Sequence, residues 1–162
     1  MKNKLASVYH PYSAMVPNPL PPSLSQPVIL GLDPGRQKCG LAIMGVDRIL
    51  RYQEVVPVEA VLSVVEQLRR QFPISTIVLG DQTGSKHWKE TLSQLDDPPR
   101  IMLVDERYTS LEARDRYWQM YPPAGLTRLM PQALRTIPRP IDDIVAILLI
   151  ERYLNRLTAS LT

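Results

Sequence analysis

The stretch Val28-Ile29-Leu30-Gly31-Leu32-Asp33, closed by Pro34 and Gly35, is the feature that most constrains the fold. An apolar run of that length, ended by an acid and a Pro-Gly turn, reads as a buried strand. Upstream, Pro11, Pro17, Pro19, Pro21, Pro22 and Pro27 interrupt a segment without apolar periodicity. Residues 1–27 are therefore read as a proline-rich flexible arm ahead of a single domain spanning 28–162. Downstream, Cys39 to Val46 and Ile49 to Val56 are two further apolar stretches separated by Asp47 and Arg48, the spacing of a tight antiparallel hairpin. Three strands in a meander follow from this.

From Val58 to Phe72 the pattern changes to helical period, with Val61, Leu62, Val65 and Leu68 on one face and Glu59, Glu66, Arg69 and Arg70 on the other. Thr76 to Gly80 is a short strand, Ser85 to Leu95 an amphipathic helix and Ile101 to Asp105 another strand, an alternation that implies parallel pairing. Thr109 and Glu112 have the spacing of a capping box, opening a helix that Pro122 and Pro123 stop. The stretch from there to Pro140, with Arg128, Arg135 and Arg139, reads as a long flexible flap. The last helix, about Ile141 to Leu157, is apolar all round in its middle and is expected to pack deep before Arg152 and Arg156 return it to water. The expected architecture is α/β: a mixed five-stranded sheet, three strands in an antiparallel meander and two parallel, flanked by helices.

Composition narrows the function classes. Cys39 is the only cysteine of the 162 residues, so neither an internal disulfide nor a thiolate metal cage can form, and a cytoplasmic location is the simplest expectation. The longest apolar run, Ile144 to Ile150, falls far short of the roughly 20 residues that span a bilayer. Lys2 and Lys4 are followed by polar residues and prolines, not by the apolar core of a secretory signal. A net charge of +3 is compatible with a nucleic-acid partner without requiring one.

Alternation along the first strand puts Ile29, Gly31 and Asp33 on one face, and along the fifth puts Met102, Val104 and Glu106 together, with Asp105 pointing the other way. Both acids then sit at carboxyl ends of strands, where open α/β sheets build their sites. Asp81 follows the Thr76 to Gly80 strand directly, and Asp142 with Asp143 opens the buried last helix. Gathered at one rim, these five acids would raise one another's pKa, an arrangement better explained by a bound cation than by stability. Hard oxygen donors without a cysteine set, and His10 and His87 each standing alone, point to Mg²⁺ or Mn²⁺ in preference to zinc. Two such ions, roughly 3.5–4 Å apart, can activate water and stabilise the leaving oxygen of a phosphodiester. Taken singly, each acid has a plainer explanation. Asp142 or Asp143 would suit a helix N-terminus, Asp33 and Asp81 would suit turns, and Glu106 would suit a surface ion pair with Arg107 or Lys86.

Three motifs resemble the YqgF family, also called RuvX, of pre-16S rRNA nuclease and Holliday junction resolvase-like proteins in the RNase H-like superfamily. They are Gly31-Leu32-Asp33-Pro34-Gly35 with Lys38, Gly40 and Ala42; Val104 to Arg114, the most specific; and Asp142 to Ala146 leading to Ile150-Glu151-Arg152-Tyr153-Leu154. The resemblance spans Val28 to about Leu157 and implies an RNase H-like fold. It also implies a metal-dependent endonuclease, acting in rRNA precursor processing or on Holliday-junction-like DNA, with Asp33, Glu106 and Asp142 as the catalytic, metal-binding acids. Asp143 has no acidic counterpart in the family pattern. Leu79 to Ser85 departs from the family's Gly-Leu-Pro, which makes Asp81 a candidate further ligand. Lys38, Lys86, Arg107 and Arg114 are candidate contacts to the phosphates of structured RNA or branched DNA, with the protein a monomer or homodimer. A domain that grips nucleic acid without cutting it is a second expectation. A third, an actin-like ATPase suggested by Asp33-Pro34-Gly35 to Gly40, would need two such lobes.

Overall fold

The computed structural model describes residues 26–82 and 84–160, so the expected proline-rich arm lies, except for its last two positions, outside the described residues. Five strands form one sheet: β1 (Val28–Pro34), β2 (Lys38–Gly45), β3 (Leu50–Pro57), β4 (Ile74–Gly80) and β5 (Arg100–Val104). Their order is β3-β2-β1-β4-β5. β1 to β3 pair antiparallel, and β4 and β5 add in parallel with β1. The mixed meander-plus-parallel sheet expected from the sequence is the one observed.

Helices cover both faces. α1 (Val61–Gln71), preceded by a 3-10 turn at Val58–Ala60, and α2 (Ser85–Leu92) lie on one side; α3 (Thr109–Met120) and α4 (Asp142–Ala159) lie on the other. Strand alternation divides the core accordingly. Val28, Leu30 and Leu32 pack with Val61, Val65, Leu68, Trp88 and Leu92, while Ile29, Val78 and Val104 pack with Ala113, Tyr117 and the buried run Ile144–Ile150. Each fully buried aliphatic side chain of that run contributes about 1.5–3 kcal/mol, so α4 is the principal anchor of its layer.

Close approach of α4 to the sheet depends on glycine. A Cβ on Gly31 would run into the Ala146 carbonyl oxygen and come within 2.9 Å of Ile150 Cγ1, and a Cβ on Gly40 would meet the backbone of Asp142 and Asp143. Three local expectations are corrected. Thr109 and Glu112 form no capping box: the N-cap is Tyr108, no side-chain bond caps the helix, and Glu112 is held by Arg152 at 2.7 Å. Residues 121–141 are not a free flap: the 3-10 turn at Gln132–Leu134 is tied to α3 by Gln132 Nε2 donating to Asp115 at 2.7 Å, and the turn at Gly125–Leu129 is joined to Arg135, which donates to the Arg128 carbonyl at 3.4 Å. Arg152 does not turn to water; it is three-quarters buried and bonded to the loop after β5.

Gly31→Ala is expected to cost roughly 1–3 kcal/mol, the usual penalty for overpacking against backbone that cannot move aside. Urea denaturation of the two proteins measures it; an unchanged midpoint would mean that α4 does not sit as close to β1 as described.

Candidate functional site: an acidic sheet edge

β1, β4 and β5 run in parallel and deliver their carboxyl ends to one edge of the sheet. Asp33, next to last in β1, lies opposite Gly40 of β2. Gly40 in turn abuts the Asp142 backbone, so the first residue of α4 stands beside the end of β1. Asp81 follows β4, its N–H donating to the Val104 carbonyl at 3.1 Å. Glu106 follows β5 by two residues; its N–H donates to Asp81 Oδ1 at 3.3 Å, and its Oε2 sits where a side chain on Gly80 would be. A cleft of about 340 Å³ opens at this edge, lined by Asp33, Gln82, Glu106, Tyr108, Thr109 and Val145 among others.

The electrostatics single out Asp33 and Glu106. Burial, then the charge of Asp142, then that of Glu106 push the Asp33 carboxyl from its ordinary 3.8 up to about 7. Burial, with Asp81 and Asp105 adding to it, raises Glu106 above the usual carboxylate range. Glu106 Oε2 is buried without a hydrogen-bond partner. Among the described residues the ion pairs go to Asp47, Asp105, Glu112, Asp143 and Glu151, and none to Asp33, Asp81, Glu106 or Asp142. Buried carboxylates left without a cation are costly to the fold, and an unexplained cost at a cleft is a mark of function.

The remaining candidates fall elsewhere. Asp143 is buried and paired with Arg139 at 2.9 Å, so it is already neutralised. Arg107 pairs with Asp105 at 2.7 Å, and its hydrogen bonds hold that carboxyl down at about 2. Glu106 therefore has neither of the surface partners considered for it. Lys38 begins β2 and Lys86 lies in the first turn of α2, both exposed; Arg114 is exposed on α3. The five acids do not close into one cluster: among the described residues, no three His, Cys, Asp or Glu side chains are grouped so as to hold an ion.

Two residues that matter here stand inside the sequence motifs but had no role at the site assigned to them there. Arg152 donates to the Asp105 carbonyl at 2.6 Å, to the Arg107 carbonyl at 2.9 Å and to Glu112, bracketing Glu106 from both sides. Its position ten residues past the start of a helix expected to surface there carried no signal of a contact 45 residues away. Tyr108 takes φ 64°, the left-handed region unusual for a bulky residue, and stands three-quarters exposed over the cleft. Only the turn between β5 and α3 could have pointed to it.

The donors suit a hard divalent cation in kind. Asp33, Glu106 and Asp142 are oxygen ligands without a basic partner, and the orphaned Glu106 Oε2 is a buried acceptor that a cation would satisfy. Holding one ion with all three would require their side chains to turn toward each other.

No protein-family model matches the chain, and a search of curated proteins finds no relative. Solved structures do resemble it. Thermus thermophilus RuvC in complex with a Holliday junction substrate superposes with a TM-score of 0.52 at 18% identity, over 80% of this chain and 95% of that one. The chain has the RNase H-like fold. A second Thermus thermophilus RuvC structure gives a TM-score of 0.47 at 16% identity, over 80% and 96% of the two chains. Among the described residues, no helix of this RNase H-like domain is long and apolar enough to cross a membrane.

Folding raises the Asp33 pKa, so between about pH 4 and 7 the folded chain keeps a proton that the unfolded chain has released, and stability falls as pH rises through that window. A carboxyl moved from 3.8 to about 7 carries roughly 4 kcal/mol against its ionised form at higher pH. Asp33→Asn is therefore expected to stabilise the metal-free protein by roughly 1–4 kcal/mol at pH 8 and by nothing below pH 4. Thermal unfolding across that range reads the difference; a variant no more stable than wild type at pH 8 would contradict the uncompensated charge.

Proposed function

We propose that this chain is a metal-dependent endonuclease that hydrolyses phosphodiester bonds of structured nucleic acid, either rRNA precursor or a Holliday-junction-like DNA, as the YqgF/RuvX resemblance implies. The observation that carries the reading is the acidic edge, where burial and the charges of Asp142 and Glu106 raise Asp33, burial with Asp81 and Asp105 raises Glu106, and no ion pair among the described residues relieves either. Asp33, Glu106 and Asp142 would hold Mg²⁺ or Mn²⁺, with Asp81 and Asp143 as further candidates of lower standing, Asp143 because Arg139 already neutralises it. Such an ion, when bound, supplies an activated water and charge stabilisation for the leaving oxygen.

The chain's own residues do the positioning. Arg152 fixes the loop that carries Glu106, and Gly40 seats Asp142 beside Asp33. Lys38, Lys86, Arg107 and Arg114 are the proposed phosphate contacts, Arg107 the weakest of them because Asp105 holds it. The similar RuvC structure contains a Holliday junction, which favours branched DNA as one of the two substrates to try. Binding without cutting is the second reading, favoured by the absence of a closed three-acid group among the described residues.

Labelled rRNA precursor and a synthetic four-way junction, each incubated with Mg²⁺, Mn²⁺ or chelator, test the proposal. One substrate is expected to be cut only with metal, and Asp33→Asn to slow cleavage roughly 100-fold or more, the scale of losing a group that stabilises reaction charge. Binding without cleavage by wild type under all conditions would leave the second reading in its place.

A further inference from the structure

Beside the acidic edge lies a second groove, of about 540 Å³, between α3 and the segment that leads into α4. Arg114, Leu134, Arg135, Ile137 and Arg139 line it, and it ends at Asp142. Its outer wall is fixed to α3. The Arg135 guanidinium lies 5.7 Å from the centre of the Trp118 ring, and that of Arg139 lies 5.6 and 5.3 Å from those of Tyr117 and Tyr121. Cation–π contacts of this kind, with the Gln132–Asp115 bond, shape the groove before anything enters it.

Its charge is only partly cancelled. Arg139 is committed to Asp143. Arg135 donates to the Met130 and Arg128 carbonyls at 2.9 and 3.4 Å, which leaves its charge uncompensated, and Arg114 has no ion-pair partner among the described residues. Leu134, 65% exposed, supplies an apolar strip next to the two free charges. Positive groups beside an apolar wall in one groove match a sugar-phosphate chain.

We infer that this groove seats one strand of a nucleic acid, with phosphates on Arg114 and Arg135 and sugars against Leu134 and Ile137, and leads it to Asp142 at the acidic edge. The inference rests on the nuclease reading for what happens at that edge, and it commits the binding to α3 and residues 130–141. Lys86, on the opposite layer, is then peripheral to this strand.

Anisotropy of a labelled single-stranded oligonucleotide, with chelator present to suppress cleavage, measures binding over a salt series for wild type, Arg114→Gln, Leu134→Asp and, as control on α2, Lys89→Gln. Arg114→Gln is expected to weaken binding about five- to tenfold at low salt and to reduce the slope of log affinity against log salt by roughly 0.7, one phosphate contact. Leu134→Asp is expected to weaken binding as well, and Lys89→Gln to change neither quantity. If wild type binds and cuts nucleic acid while Arg114→Gln and Leu134→Asp match it, the groove assignment is overturned and the nuclease reading stands. If wild type neither binds nor cuts, both fall. Displacement of the strand by polyglutamate at lower concentration than by unlabelled strand would assign the groove to an acidic protein partner and overturn the inference.

Discussion

The contact on which the rest of the molecule depends is the packing of α4 directly on backbone, where β1 and β2 present Gly31 and Gly40. Side chains normally keep a helix well clear of the sheet it covers. Here the Ala146 carbonyl and the Asp142 backbone occupy the space that two Cβ atoms would take. The buried run from Ile144 to Ile150 supplies the apolar area that holds the helix down. Its first residue is consequently fixed beside the end of β1. Gly80 does the same for the other flank, leaving room under β4 for the Glu106 carboxylate.

Those three approaches place acids where no ion pair among the described residues neutralises them. Elsewhere the fold treats acids conventionally: Asp47 is paired with Arg51, Asp105 with Arg107, Glu151 with Arg116 and buried Asp143 with Arg139. Asp105 and Glu106 are adjacent and have opposite fates, one drawn down to about 2 by an arginine and the other raised by burial and neighbouring acids. A sequence selected for stability alone would place arginine at this edge too. The Arg152 guanidinium instead binds the carbonyls on either side of Glu106 and the Glu112 carboxylate.

Much of this was legible in the sequence because it is carried by local pattern. The period-two alternation of β1 assigned Asp33 to the same face as Ile29 and Gly31, and the all-apolar centre of α4 announced a helix buried on every side. Contacts between distant segments were not legible. The spacing of Thr109 and Glu112 pointed to a cap, but Glu112 is drawn away by Arg152, 40 residues on. The arginines of residues 121–141 suggested a loose flap, whereas the aromatic rings of α3 that hold them are visible only once the helix is placed against them. Asp143 stands next to Asp142 in the sequence and on that ground is a further candidate ligand, ranked below it. One step around the helix turns it from the edge to the partner Arg139.

The central claim is that the unpaired acids form a place for a divalent cation. Isothermal calorimetry of the full chain with Mn²⁺, in wild type and in Glu106→Gln, addresses it without relying on any substrate. Saturable binding in wild type, lost or much weakened in the variant, is the outcome that follows from an orphaned Glu106 carboxylate beside Asp33 and Asp142. Absence of binding in wild type, or binding that Glu106→Gln leaves unaltered, would show that the acidic edge serves something other than a metal.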